Sequence, residues 1–157
     1  MSNVIISRFD PRFQIYIPRI KRTTTRVLSF LRQDTACVEI FLITSRQMRA
    51  LYKKVFHKDH VADVLSFPEP RGFVDPEVRR PKLGEIYLNI EKTADYRLHE
   101  PARRKRARAM RDAQWPIDFL LIHGILHLLG YDHVRKNDIM RMERLEQSLL
   151  RRLRIRR

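Results

Sequence analysis

The sequence predicts an α+β fold in which helices cover a small mixed β-sheet. Some segments are rich in β-branched residues and others have apolar residues at helical spacing, and the two kinds do not alternate strictly. One segment, residues 115–129, is apolar on nearly every side and is expected to be a central buried helix. With 157 residues, of which 43% are hydrophobic, the whole chain (residues 1–157) is expected to form a single domain.

The first segments of the chain are expected to be strands and one helix. Residues 3–6 and 13–17 resemble strands, and residues 20–32 have apolar residues at helical spacing. Residues 37–44 form an apolar run that is typical of a buried strand. This run contains Cys37, the single cysteine of the chain, so we expect a packed thiol and a reducing compartment rather than an intramolecular disulfide.

The middle of the chain predicts a helix and a pair of strands. Ser45 is a candidate helix N-cap, because the residues after it place apolar side chains at spacings of three and four. These side chains belong to Met48, Leu51, Tyr52 and Val55. Residues 63–67 and 84–90 are expected to be strands. The connector, residues 69–83, holds three prolines and a glycine, which favours an exposed loop between paired strands.

The end of the chain predicts two further helices. Pro116 is tolerated in the first turn of the central helix, and Gly130 is expected to end that helix. A last helix is expected over residues 137–153, with arginines on its exposed face. Its apolar stripe consists of Ile139, Met142, Leu145, Leu149 and Leu153.

The charge of the chain indicates a polyanionic partner. Lysine and arginine number 33 against 18 aspartate and glutamate residues, which gives a formal net charge of +15. Nucleic acid is the default partner for such an excess, an anionic membrane is the weaker option, and simple solubility is the remaining alternative. No apolar run has the length of a bilayer-spanning helix, and the first residues do not resemble a signal peptide. We therefore expect no membrane partner.

Residues 95–111 are the most basic part of the chain. Within them, Arg103, Arg104, Lys105 and Arg106 are the candidate RNA-binding residues, because closely spaced cations bind a phosphate backbone without regard to sequence. A solvated helix face would explain the same charges equally well.

Three histidines have the spacing of a metal site. His123 and His127 stand at i and i+4, which places both imidazoles on one face of a helix. Gly130 permits a sharp turn that can bring His133 back toward the same ion. Three protein ligands with an open fourth position are the arrangement of catalytic zinc. A purely structural ion, or histidines that only satisfy core contacts, are the alternatives.

The same spacing occurs in metzincin proteases, in which the residue after the first histidine is a glutamate that acts as general base. Here that residue is Gly124, so ordinary peptide hydrolysis lacks its proton acceptor. Asp132 precedes the third histidine, where it can orient an imidazole or accept a proton; capping of a turn is the alternative role.

Three motifs resemble one known family. The stretch HGILHLLGYDH, which ends at His133, is similar to the HGxLHLxGYDH signature of the YbeY family of metal-dependent endoribonucleases. DVLSFP at residues 63–68 and LGEIYL at residues 83–88 match two further motifs of that family in order and position. The stretch MERLEQSLL resembles the last helix of the family, so the resemblance extends from about Leu51 onward.

The resemblance implies a single-domain α+β fold and one zinc ion held by His123, His127 and His133. It also implies metal-dependent cleavage of single-stranded RNA in ribosomal RNA maturation and ribosome assembly. The implied partners are ribosomal RNA, an immature ribosomal subunit, and ribosomal proteins or other assembly factors. The implied compartment is the cytoplasm, with an organelle that has its own ribosomes as the alternative.

Three positions depart from the family pattern, and one of them is Ala62 in place of a threonine. Family members usually carry an arginine where this chain has Phe56 and an asparagine where it has Tyr52, and the resemblance places that arginine opposite the metal and the scissile phosphate. Lys53 and Lys58 are candidates to supply charge instead, and Asp132 is the candidate catalytic carboxylate. The alternative is a catalytically weakened or inactive assembly factor that binds pre-ribosomal RNA and keeps the metal as a structural element.

Overall fold

A computed structural model describes residues 4–7, 10–93 and 116–155. Within these residues the chain forms five strands and four helices, with two short 3₁₀ turns. The elements are β1 (Val4–Ser7), a 3₁₀ turn (Pro11–Tyr16), α1 (Ile17–Phe30), β2 (Cys37–Ile43), α2 (Ser45–Phe56), β3 (Val64–Pro68), β4 (Val74–Asp75), β5 (Arg80–Asn89), a second 3₁₀ turn (Ile90–Lys92), α3 (Ile117–Leu128) and α4 (Lys136–Leu153).

The strands form one mixed sheet in the order β1-β2-β5-β3. β1, β2 and β5 run parallel, whereas β3 pairs with β5 in the antiparallel direction. The short β4 pairs with the first residues of β5. The mixed sheet confirms the α+β class, and it leaves β3 at an edge, beside the helix that carries the histidines.

The core lies between the sheet and the helices α1, α3 and α4. α3 packs against β3, β5, α1 and α4, which is why its residues are apolar on nearly every side. Each large aliphatic side chain that is fully buried stabilises the fold by about 1.5–3 kcal/mol. In α3 these side chains are Ile117, Leu121, Ile122, Ile125 and Leu126, so the predicted central buried helix is confirmed.

The strand predicted for residues 13–17 is wrong. The Asp10 carboxylate accepts the backbone N–H of Arg12 at 2.9 Å, and Pro11 follows as the first residue of a 3₁₀ turn. Phe13 and Tyr16 are buried three residues apart, which is helical spacing and not the alternation of a strand. The helix predicted from residue 20 therefore begins three residues earlier, at Ile17.

Two other boundaries differ from the prediction. The N-cap of α2 is Thr44, not Ser45. The Thr44 hydroxyl accepts the backbone N–H of Gln47, and the side-chain oxygen of Gln47 accepts the backbone N–H of Thr44, which together form a capping box. The connector over residues 69–83 is not a loop throughout. β4 and the first residues of β5 form a hairpin within it, in which Pro81 takes part because only one neighbouring strand pairs with it there.

The predictions of a packed thiol at Cys37 and of a last helix are confirmed. Cys37 is fully buried and free. α4 begins at Lys136 and buries Met142, Leu149 and Leu153 of the predicted stripe. None of the helices in residues 4–7, 10–93 and 116–155 combines the length and the hydropathy needed to cross a membrane.

Candidate metal centre

Three histidines meet at the end of α3. His123 and His127 are one turn apart on the helix, and His133 lies in the segment that follows it. The Nε2 atoms of His123 and His127 are 3.0 Å apart. One ring nitrogen of each histidine lies within 4.8 Å of those of the other two. The structure therefore brings together the three residues that the sequence predicts to share an ion.

The turn after α3 is what returns His133 to the helix. Gly130 has φ +89°, a backbone conformation that side-chain-bearing residues rarely adopt. Its N–H donates to the His127 carbonyl at 3.0 Å, and the N–H of Tyr131 donates to the Leu126 carbonyl at 3.1 Å. These two bonds form a Schellman motif, which satisfies the last carbonyls of the helix and reverses the chain.

The surroundings of His127 favour its neutral imidazole. Burial lowers the pKa of His127, and the nearby His123 and His133 lower it further because a second positive charge would be repelled. Only a neutral imidazole has a free lone pair for a metal ion. His127 is thus held in the form that binds a metal at neutral pH.

Glu146 of α4 is the functional residue that the sequence did not reveal. Its Oε1 lies 2.7 Å from Nδ1 of His123, and only 8% of its side chain is exposed. When Nδ1–H of His123 donates to this carboxylate, Nε2 keeps its lone pair and faces the other two histidines. A signal was present in the sequence, since Glu146 stands in the buried stripe of α4 between Met142 and Leu149, where a carboxylate needs a partner.

Gly124 allows α3 to lie close to the sheet. A Cβ at this position would lie 3.0 Å from Oγ of Ser66 and 3.1 Å from Cδ1 of Ile86. Position 124 therefore faces β3 and β5, and a glutamate side chain would not fit there unless the helix moved away. Close packing of α3 on the sheet therefore excludes a metzincin-type glutamate from this position.

Two open clefts meet at the histidines. The larger, of about 670 Å³, is lined by His123 and His133 together with His60 and the carboxylates Glu143 and Glu146. The smaller, of about 360 Å³, is lined by His123, His127, Asp132, Ser66 and other residues of β3. His123 and Val64 line both clefts, so the two clefts adjoin beside the histidines.

The donor set fits a single ion. Zinc–imidazole bonds are about 2.0–2.1 Å long, so a small movement of the rings lets one ion contact nitrogens that lie within 4.8 Å of one another. All three donors are imidazoles, which suit zinc and also copper, iron and nickel. The hydrogen bond from His123 to Glu146 is the kind of outer contact that fixes the orientation of a ligand ring.

The other predicted site residues lie in different places. Asp132 lines the smaller cleft, and its Oδ1 accepts the backbone N–H of His133 at 2.6 Å, which is a turn-capping contact. Lys53 and Lys58 are exposed, and neither lines the two clefts beside the histidines. The candidate RNA-binding residues Arg103, Arg104, Lys105 and Arg106 lie outside the described residues.

The loop at residues 57–63, which borders the larger cleft, is held by the last residue of β5 and by the 3₁₀ turn that follows it. Nζ of Lys92 donates to the Val61 carbonyl at 2.8 Å and pairs with the Asp63 carboxylate at 2.9 Å. The buried side chain of Asn89 donates to the Ala62 carbonyl at 3.2 Å. These contacts fix one wall of the cleft relative to the sheet.

Comparison with known proteins identifies a family. The sequence model described as "Endoribonuclease YbeY" matches residues 10–154. A protein named Endoribonuclease YbeY from Anaeromyxobacter sp. is 35% identical over 149 residues, which are 94% of this chain and 70% of that protein. One of the same name from Thermus thermophilus is 30% identical over 96% of this chain and 99% of that protein. A solution structure from Thermotoga maritima aligns with 96% of this chain and 91% of its own, at 21% identity and a TM-score of 0.49.

Proposed function

The chain belongs to the YbeY family of endoribonucleases, and on this premise we propose that it cleaves single-stranded RNA during ribosomal RNA maturation, with one zinc ion as cofactor. The observation that carries this proposal is the group of three histidines at the junction of two open clefts. A single strand of RNA that passes through both clefts places one of its phosphates beside the three ring nitrogens.

Each residue of the centre has a separate task. A bound zinc ion would supply Lewis-acid chemistry, which withdraws electron density from a phosphoryl oxygen. His123, His127 and His133 hold the ion, and Glu146 keeps the ring of His123 in the orientation that turns Nε2 to it. Asp132 is the candidate proton acceptor, because its carboxylate lines the smaller cleft next to His133.

Charge supports RNA as the substrate and partner. A net charge of +15 favours binding to a phosphate backbone, and such binding weakens steeply as salt rises. We propose an immature ribosomal subunit, with its proteins or other assembly factors, as the particle on which the protein acts. It would then work in a compartment that contains ribosomes, either the cytoplasm or an organelle with its own ribosomes.

One observation favours a second candidate function, a ribosome assembly factor that binds RNA without cleaving it. Position 56, where the resemblance expects an arginine, holds Phe56, and neither Lys53 nor Lys58 lines the clefts beside the histidines. A phosphoryl group at the histidines would then lack a fixed guanidinium to stabilise developing charge. In this function the ion serves only to brace α3 and the turn after it.

Cleavage of a single-stranded ribosomal RNA fragment separates the two functions. We expect the wild-type protein to cleave it, a chelator to abolish cleavage, and added zinc to restore it. His123→Ala should be inactive, whereas His57→Asn, which changes an exposed histidine outside both clefts, should retain activity. RNA binding without any metal-dependent cleavage would refute the nuclease and favour the assembly factor. Elemental analysis of the purified protein identifies the ion.

A further inference from the structure

We propose that Tyr52, Phe56 and His60, here called the stacking platform, bind an unpaired nucleobase of the RNA strand that occupies the larger cleft. The inference rests on the proposed function and adds a base-binding site next to the candidate metal centre. It supplies a physical reason for a preference for single strands, since only a base that is free of a pairing partner can turn its face onto protein rings.

The three rings form a continuous aromatic surface that reaches the metal cleft. The ring centroids of Tyr52 and Phe56 are 4.6 Å apart with an interplanar angle of 42°, and those of Tyr52 and His60 are 4.8 Å apart with an angle of 64°. His60 lines the larger cleft together with His123 and His133. Tyr52 therefore connects a ring inside the cleft with Phe56 outside it.

The platform is open to solvent. Phe56 is 43% exposed, and Val55 beside it is 41% exposed. In contrast, Met48 in the first half of α2 is fully buried, so the helix packs against the fold at its beginning and turns apolar surface outward at its end. Single exposed apolar residues are common, but Phe56 belongs to an aromatic cluster that reaches a cleft, so its exposed ring is available to a ligand there.

The surroundings of the platform fit a nucleotide better than an apolar peptide. The segment over residues 52–60 also contains Lys53, Lys54 and Lys58, all of them exposed. A combination of aromatic faces with cations is how proteins bind single-stranded nucleic acid, because the rings stack on bases while the cations bind phosphates. The net charge of +15 favours the same class of ligand.

Contacts with α2 and with the sheet hold the loop that carries His60. His57 has φ 55°, which ends α2 and directs the chain toward the cleft. An ion pair between Arg49 and Asp59 joins the loop at residues 57–63 to α2, while Lys92 and Asn89 hold the other side of that loop. A preformed surface loses less conformational entropy on binding, so stacking there contributes more of its energy to affinity.

Binding of a single-stranded oligoribonucleotide that carries 2-aminopurine tests the proposal, since stacking on an aromatic ring quenches this fluorophore. The wild-type protein should quench the probe at one position of the strand. Phe56→Ala should weaken binding by about 5-fold to 150-fold, the equivalent of one stacked base, and should relieve the quenching. Phe56→Trp should restore both. Phe73→Ala, which removes another exposed phenylalanine that lines neither cleft beside the histidines, is the matched control and should bind like the wild type.

The outcomes separate this proposal from the proposed function. If the wild-type protein cleaves RNA and Phe56→Ala binds and quenches the probe equally well, the platform is refuted and the nuclease stands. If the wild-type protein binds and quenches the probe without cleaving RNA, and Phe56→Ala weakens both binding and quenching, the platform stands and the nuclease is refuted. Equal affinity for duplex and single-stranded probes would also refute the platform. Failure of the wild-type protein to bind any RNA would refute both.

Discussion

Removal of the Glu146 carboxylate should weaken metal binding without touching a ligand. In the structure this carboxylate lies 2.7 Å from Nδ1 of His123 and is nearly excluded from solvent. Glu146→Ala leaves Nδ1–H without its acceptor and frees the ring to rotate away from the other two histidines. Loss of such an outer partner costs about 10-fold to 100-fold in metal affinity, or about 1.4–2.7 kcal/mol. The metal affinity of Glu146→Gln should lie between those of the wild type and Glu146→Ala, because the amide oxygen still accepts the hydrogen bond but carries no charge.

A competition titration against a chromophoric zinc chelator measures this affinity directly. Glu143→Ala is the matched control, because Glu143 is one turn away on α4, lines the same cleft and is exposed. We expect its affinity to stay within about threefold of the wild type, since exposed charges interact weakly with the site. Circular dichroism before the titration establishes that all three variants fold. Wild-type affinity in a folded Glu146→Ala protein would refute the role of the carboxylate in orienting His123.

Three further predictions concern the stability of the fold. Zinc at about 100 times its dissociation constant should add about 2.7 kcal/mol to the free energy of unfolding of the wild type. In a thermal melt this should raise its Tm by roughly 5–10 °C. The Tm of His133→Ala should stay almost unchanged. Gly124→Ala should change the free energy of unfolding in urea by a loss of up to about 2 kcal/mol, because contact of its Cβ with Oγ of Ser66 at 3.0 Å costs about 1–3 kcal/mol and the better helix propensity of alanine returns about 1 kcal/mol. A raised midpoint would contradict the close packing of α3 on β3. Thr44→Ala should lower the free energy of unfolding by about 1 kcal/mol, because it removes the hydroxyl that accepts the N–H of Gln47. An effect below about 0.3 kcal/mol would contradict the capping box.

The histidine cluster could be predicted from sequence because its geometry is local. The helical repeat alone places His123 and His127 on one face, and Gly130 indicates the turn that brings His133 back to them. No contact between distant parts of the chain is needed to bring these three rings together. The central helix was predictable for a similar reason, since a segment that is apolar on all sides must be buried.

Local patterns failed where one segment fits two structures. The alternation of Phe13, Ile15 and Ile17 fits a short strand, whereas the spacing of Phe13 and Tyr16 fits a helical turn, and the cap at Asp10 favours the turn. The hairpin of β4 and β5 could not be predicted from the sequence, because prolines usually indicate a loop. Pro81 is tolerated there since only β4 pairs with it, a fact that depends on the position of the strand in the sheet.

Glu146 and the larger cleft could not be predicted, because both depend on tertiary contacts. Glu146 reaches His123 only because α4 packs across α3, and the larger cleft forms only where the loop at residues 57–63 meets both helices. The sequence indicates that three imidazoles can share an ion, but the reactivity of that ion depends on what orients the rings and on what can approach them. Those two properties come from Glu146 and from the cleft that His60 lines. A test of function therefore needs variants at these positions as well as at the ligands.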